Sequence, residues 1–160
     1  MKITNERLRQ IIQEEIKSLN ESLITEATRS TVAIEDKSGK VHGTYIHFDG
    51  YVDGGVGDTL KKNYTKKDKI SDLLDLGRYG ISSLDKSIKG GKDHSFANKK
   101  KGETVFYGRD RGEENDMTSD FKDRDAFLDS HTEEFAYLYS VKDKKWYYNE
   151  AYGDEGWQEL

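Results

Sequence analysis

The chain predicts an α+β domain: a mainly antiparallel sheet of about five strands with two or three short helices, preceded by a tethered amphipathic helix. Three observations carry this prediction. Two regions, residues 31–48 and 134–149, alternate apolar and polar side chains around short polar turns, the pattern of β-hairpins. Between them lie segments whose apolar residues recur at steps of three and four, the helical spacing. Ten Tyr, six Phe and two Trp then supply a core that a hydrophobic fraction of only 33% would leave thin.

Residues 5–21 form one helical stripe of Leu8, Ile11, Ile12, Ile16 and Leu19, with Asn5 as the expected N-cap and charged residues on the other side. The polar stretch 20–31 separates it from everything that follows. We therefore divide the chain into a leader and linker, residues 1–26, and a single domain, 27–160. Thr31–Asp36 and Val41–Phe48 pair across the turn Lys37-Ser38-Gly39-Lys40, placing Ile46 and Phe48 on one face and Tyr45 and His47 on the other. A Gly-rich loop leads to a short helix over Asp58–Tyr64. A second helix runs from Lys66 to Leu76, with Thr65 as its expected cap and Gly77 as its stop.

Ser82-Ser83-Leu84 reads as a turn or short helix, and the basic, Gly-bearing segment 85–103 as a solvated, mobile loop. Thr104–Tyr107 is a short strand, Asp120–Ser130 a helix, and Glu134–Val141 with Trp146–Asn149 the second hairpin.

Several chemistries are excluded at once. With no Cys there is no disulfide, Cys-bound zinc, iron–sulfur cluster or thiol nucleophile. A net charge of −5 argues against a binder of long nucleic acid. No stretch reaches the roughly 20 apolar residues of a membrane span, and the N-terminus lacks a secretory signal's apolar core, so no membrane association is expected. Gly54-Gly55-Val56-Gly57 lacks the Lys-Ser/Thr of a phosphate loop. Asp49, Asp53 and Gly54 begin like a calcium loop, but Tyr51 and Leu60 occupy positions that need oxygen ligands. The four His are scattered, and no Gly-x-Ser-x-Gly elbow is present. No metal and no cofactor are expected.

Two segments keep functional interest. His47, Asp49 and Tyr51 close one strand, and Tyr107, Arg109, Arg111 and Glu113 close another. If the second stays extended, Arg109 and Arg111 point the same way and grip one anionic group, with Tyr51 and Tyr107 to stack on a base. Asp49 or Glu113 would then hold ribose hydroxyls. The other reading is an Arg–carboxylate network of Asp49, Asp110, Glu113 and Glu114 that stabilises a Gly-rich loop. Both are open at this point.

Two resemblances add a setting. Met-Lys-Ile-Thr-Asn-Glu-Arg-Leu-Arg-Gln-Ile-Ile-Gln-Glu-Glu-Ile resembles the leaders of proteins packaged by large myovirus-type tailed phages, and Ile24-Thr25-Glu26/Ala27 resembles the site their prohead proteases cut. This implies that residues 1–26 engage a prohead scaffold and are removed at Glu26/Ala27. Thr28–Glu35, Tyr45–Tyr51, Leu73–Gly77, Ile81–Leu84 and Tyr107–Glu113 together resemble a family of small uncharacterised phage and prophage proteins. That family typically has Trp where Phe48 stands and a Pro after the Asp-Gly-Tyr segment, where this chain has Val52 and Asp53. It brings no catalytic residue.

The resemblances imply a phage setting; with the leader junction, the paired Arg–Tyr segment and the absence of a catalytic constellation, the expectation is a phage accessory protein, housed in the virion interior before ejection and then in the host cytoplasm. It would counter host defence, without catalysis, by binding a nucleotide-like small molecule or a host defence protein. The alternatives are a nucleotide-modifying enzyme using His47, Asp49, Arg109 and Glu113, and a virion or assembly protein that docks or forms a homo-oligomer through its helix.

Overall fold

A computed structural model describes residues 4–25, 27–151, 153 and 155–160. Helix α1 (Asn5–Thr25) precedes strands β1 (Ser30–Glu35) and β2 (Val41–Ile46). Helices α2 (Val56–Asn63) and α3 (Lys67–Leu76) follow, then a single 3-10 turn, β3 (Ile81–Ser83), β4 (Val105–Phe106) and α4 (Tyr107–Arg111). The chain closes with β5 (Thr118–Phe121), α5 (Arg124–Ser130), β6 (Phe135–Ser140), β7 (Lys145–Glu150) and β8 (Gln158–Glu159).

The α+β class holds, with a sheet of eight strands rather than about five, in the order β4-β3-β2-β1-β6-β7-β8. Both expected hairpins form, β1 with β2 and β6 with β7. The additional strands, β3, β5 and β8, have four residues or fewer, too short for their periodicity to register. One of them, β3, replaces the turn expected at Ser82-Ser83-Leu84, because Ile81 is fully buried between Ile46 and Phe106. The sheet is mixed: β1 joins β6, and β2 joins β3, in parallel. The outer edge of β2 is shared, with β5 covering Val41–Thr44 and β3 taking over at Ile46.

Alternation then distributes the side chains to two faces. On the first face Val32, Ile46, Tyr137, Tyr139 and Trp146 pack with Leu60 of α2 and Ile70, Leu73 and Leu74 of α3. On the second, Ala33, Val41, Ala136 and Leu138 pack under Phe127 of α5. The buried rings also tie down polar loops. Tyr137 donates its hydroxyl to the Gly50 carbonyl at 2.6 Å, Tyr64 to that of Asp85 at 2.6 Å, and Trp146 its indole N–H to that of Tyr64 at 2.8 Å. Burial pushes the Tyr64 hydroxyl up to about 12, so it remains a donor throughout the physiological range.

Helix starts differ from expectation in an instructive way. Thr4, one residue before Asn5, caps α1 by accepting from the Arg7 amide at 3.2 Å. Lys66 holds the cap position of α3 in place of Thr65, with no side-chain bond. At α5, which is shorter than expected, Asp123 accepts from the Ala126 amide at 2.8 Å. Residues 120–121 are thereby released to join 118–119 as a strand paired with β2.

Helix α1 contributes nothing to either core cluster among its described side chains. Leu8, Ile12 and Ile16 are all about half exposed, at 49%, 48% and 53%. Among the described residues no helix is long and apolar enough to cross a membrane.

Candidate functional site

The segment after β4 bends immediately into helix α4, so the extended geometry expected for Arg109 and Arg111 is not adopted. Two local features cause the bend. The Asp110 carboxylate reaches back to accept from the Phe106 amide at 2.8 Å, and Gly112 ends the turn in the left-handed conformation (φ 80°), its amide bonded to the Gly108 carbonyl at 2.8 Å. Two residues apart on a helix means opposite sides, and the two guanidinium groups separate.

Arg109 turns inward. It donates to Asp110 (Nε to Oδ1, 2.9 Å), to the Ile88 carbonyl (2.6 Å) and to the Thr104 carbonyl (3.2 Å), with its guanidinium over the Phe106 ring. His94, whose side chain is 1% exposed, meets Asp110 at 3.2 Å through Nε2 and accepts the Lys100 amide at Nδ1. Burial alone would raise the Asp110 carboxyl, but the bonds from Arg109 and the Phe106 amide outweigh it and hold the group below its ordinary value. Segment 85–103, expected as a mobile loop, is thus pinned to a buried ionic node. Glu103 adds to the pinning by accepting from the Gly90 amide at 2.8 Å. The Arg–carboxylate network is real at Asp110. Asp49 takes no part in it.

Arg111 points outward. Its side chain is 53% exposed, sits over the Phe96 ring at 4.8 Å and pairs with Glu113 at 3.3 Å. Phe96 in turn lies 5.7 Å from the Tyr107 ring. Because Ile46, Ile81 and Phe106 share one register and face the first core, Tyr45, His47 and Tyr107 face the opposite side of the sheet. There, α5 covers β1, β6 and the start of β2 at Val41.

Tyr45 and His47 are joined by a 2.7 Å bond between the hydroxyl and Nδ1. Burial first, and the positive charge of Arg29 second, hold His47 below its ordinary value of 6.5. Burial raises the Tyr45 hydroxyl. At neutral pH this is an uncharged, hydrogen-bonded aromatic pair beside the Arg29 guanidinium. From Tyr45 a cleft of about 320 Å³ continues toward α5, lined also by Thr31, Met117, Ser119, His131 and Glu133.

Asp49 and Tyr51 are elsewhere. Strand β2 runs parallel to β3, and β4 antiparallel to it, so the chain leaves β2 and β4 at opposite ends of the sheet. Tyr51 is 40% exposed and donates to Asp49 at 3.1 Å, while Asp49 (φ 58°) shapes a tight loop by accepting the Val56 amide at 2.8 Å. At Gly55 any Cβ would meet the carbonyl oxygens of Asp49 and Tyr51 at 2.4 Å, so close approach dictates glycine there. The single-cleft grouping of His47, Asp49, Arg109 and Glu113 therefore does not form.

Of the seven ligand candidates, the structure places His47, Tyr107 and Arg111 around the open face, with Glu113 as the partner of Arg111. It adds Arg29, Tyr45 and Phe96. Phe96 is the sole Phe, Tyr or Trp in the Lys-rich segment 85–103, which was a usable signal. At the leader junction, Glu26 lies outside the described residues, so the Ile24-Thr25-Glu26/Ala27 site has no structural counterpart here. Among the described residues no three His, Asp or Glu side chains group to hold a metal ion. No protein-family model, curated protein or solved structure matches the chain.

Proposed function

We propose that this is a binding protein for a nucleotide-like ligand, received on the open half of the second sheet face. The observation that supports the reading is the cluster itself: Tyr45, His47, Phe96 and Tyr107 as ring surfaces, flanked by Arg29 and the exposed Arg111. Rings accept a base by stacking, and a guanidinium accepts phosphate in preference to a carboxylate partner such as Glu113. An uncharged His–Tyr pair suits holding and hydrogen bonding. Residues 1–26 are read as a separable phage leader, in keeping with an α1 stripe that the domain leaves exposed. In that setting the protein withholds a nucleotide signal from a host defence system after ejection.

The binding reading is tested with a panel of mono-, di- and cyclic nucleotides by calorimetry. One class should bind saturably, and Tyr107→Ala should weaken it by on the order of tenfold, as loss of one stacked base contact does. Arg111→Ala should weaken phosphorylated members and spare the bare nucleoside. If no nucleotide binds, and mass spectrometry finds no small molecule retained from infected-cell lysate, the reading fails. Processing is tested separately, by looking in purified virions for a peptide that begins at Ala27. An intact leader in mature particles contradicts it.

A further inference from the structure

The cleft that runs from Tyr45 toward α5 differs in charge from the ring surfaces beside it. Among the described residues no Lys or Arg lines it, and its polar groups are the carboxylates of Asp116 and Glu133, several hydroxyls and the His131 ring. Most of these are already engaged. Asp116 accepts from the Thr118 amide at 2.9 Å, from the Thr118 hydroxyl and from Arg78 Nε at 3.3 Å. Thr44 and Ser130 donate to the Gly77 and Ala126 carbonyls, both at 2.6 Å. His131 meets Asn149 through Nε2 at 2.8 Å and the Glu133 carbonyl through Nδ1 at 3.2 Å. Ser119 and Thr132 are exposed at the rim.

Glu133 is placed differently. The His131 bonds fix its stretch of backbone, and the buried Thr31 hydroxyl donates to its Oε2 at 3.0 Å. That bond occupies one of the roughly four acceptor sites of a carboxylate. The nearby Arg29 pairs with Glu134 instead, at 3.7 Å. Burial first, and then the charges of Tyr107 and Glu133, raise the Tyr45 hydroxyl, so a stacking ring and this carboxylate are both near the same group.

We infer that the base entering this cleft is guanine, its N1–H and N2 amino group donating to the Glu133 carboxylate. The inference rests on the nucleotide reading of the sheet face and narrows it. A cleft walled by carboxylates repels phosphate and asks its ligand for donors. Guanine presents two adjacent donors on the edge away from its ribose, matching the fork of a carboxylate. Adenine and cytosine set a ring-nitrogen acceptor beside their one amino group, and that lone pair would face a carboxylate oxygen. Uracil has a single N–H between two carbonyls. At about 320 Å³ the cleft is at the small end of ligand pockets and admits a base, leaving the phosphate outside with the guanidinium groups.

The test compares guanosine, inosine and adenosine monophosphates against the full chain by calorimetry. Guanosine monophosphate should bind at least about tenfold tighter than either, because inosine lacks the N2 amino group and adenine sets an acceptor against the carboxylate. Glu133→Gln exchanges one acceptor oxygen for a donor, which suits the donor–acceptor edge of adenine, so the preference should turn toward adenosine monophosphate. A merely structural Glu133 would weaken all three alike. A smaller wild-type preference, a preference for adenine, or a guanine preference that survives Glu133→Gln overturns the inference while the nucleotide reading stands. The guanosine–inosine comparison needs no variant and decides even if Glu133→Gln fails to fold. Failure of every mono-, di- and cyclic nucleotide to bind overturns the nucleotide reading, and the inference with it.

Discussion

Asp110 has a side chain only 5% exposed, yet the Phe106 amide, the Arg109 guanidinium and His94 all converge on it. Removing its charge leaves Arg109 without its counter-ion while that side chain is still mostly covered. Asp110→Asn is expected to cost about 2 kcal/mol, less than for a fully buried pair because Arg109 keeps some solvent contact. Urea unfolding measures it. His47 offers a second measurement at this scale. Its folded value is depressed, so the unfolded chain binds the extra proton. The stability it contributes is complete above 6.5 and falls as pH drops below that value. The depressed carboxylates Asp85, Glu103 and Asp110 lose their contributions only below the ordinary carboxylate range, so the two windows separate. His47→Gln should flatten the stability profile just below 6.5 and leave the acid limb in place.

At the scale of elements, α1 and the domain are separate physical problems. Among the described residues every fully buried apolar side chain falls between Val32 and Leu138, so deleting residues 1–26 should leave the melting temperature of the remainder within a few degrees. A large loss would mean that the helix packs where the exposed stripe says it does not. The long elements were legible in the sequence because each presents one periodic face: both hairpins, α2, α3, and the division of Ile46 from Tyr45 and His47. The short ones were not. Strand β3 exists because Ile81 fits between two neighbours, and α4 because Asp110 folds back on the Phe106 amide. Neither cause leaves a period in the sequence. The same bend separates the two arginines. Arg109 and Arg111 look equivalent on paper, and a single helical turn makes one structural and leaves the other facing solvent.

On the scale of the whole molecule, the helices divide the work of covering the sheet unequally. The first face is packed by α2 and α3, whereas on the second α5 reaches Val41 at the start of β2 and leaves Tyr45, His47 and Tyr107 outside the core, half-buried, with Phe96 and Arg111 beside Tyr107. A fold with so few apolar residues places rings at this edge while burying others to anchor loops, and that allocation is the main reason to assign a ligand to this face. Amide-resolved NMR titration with the nucleotide panel tests the assignment most directly. Saturable shifts concentrated at Arg29, Tyr45, His47, Phe96, Tyr107 and Arg111 are predicted for one nucleotide class. Shifts centred on the Asp49–Tyr51 loop, or no saturable shifts with any member of the panel, would contradict it.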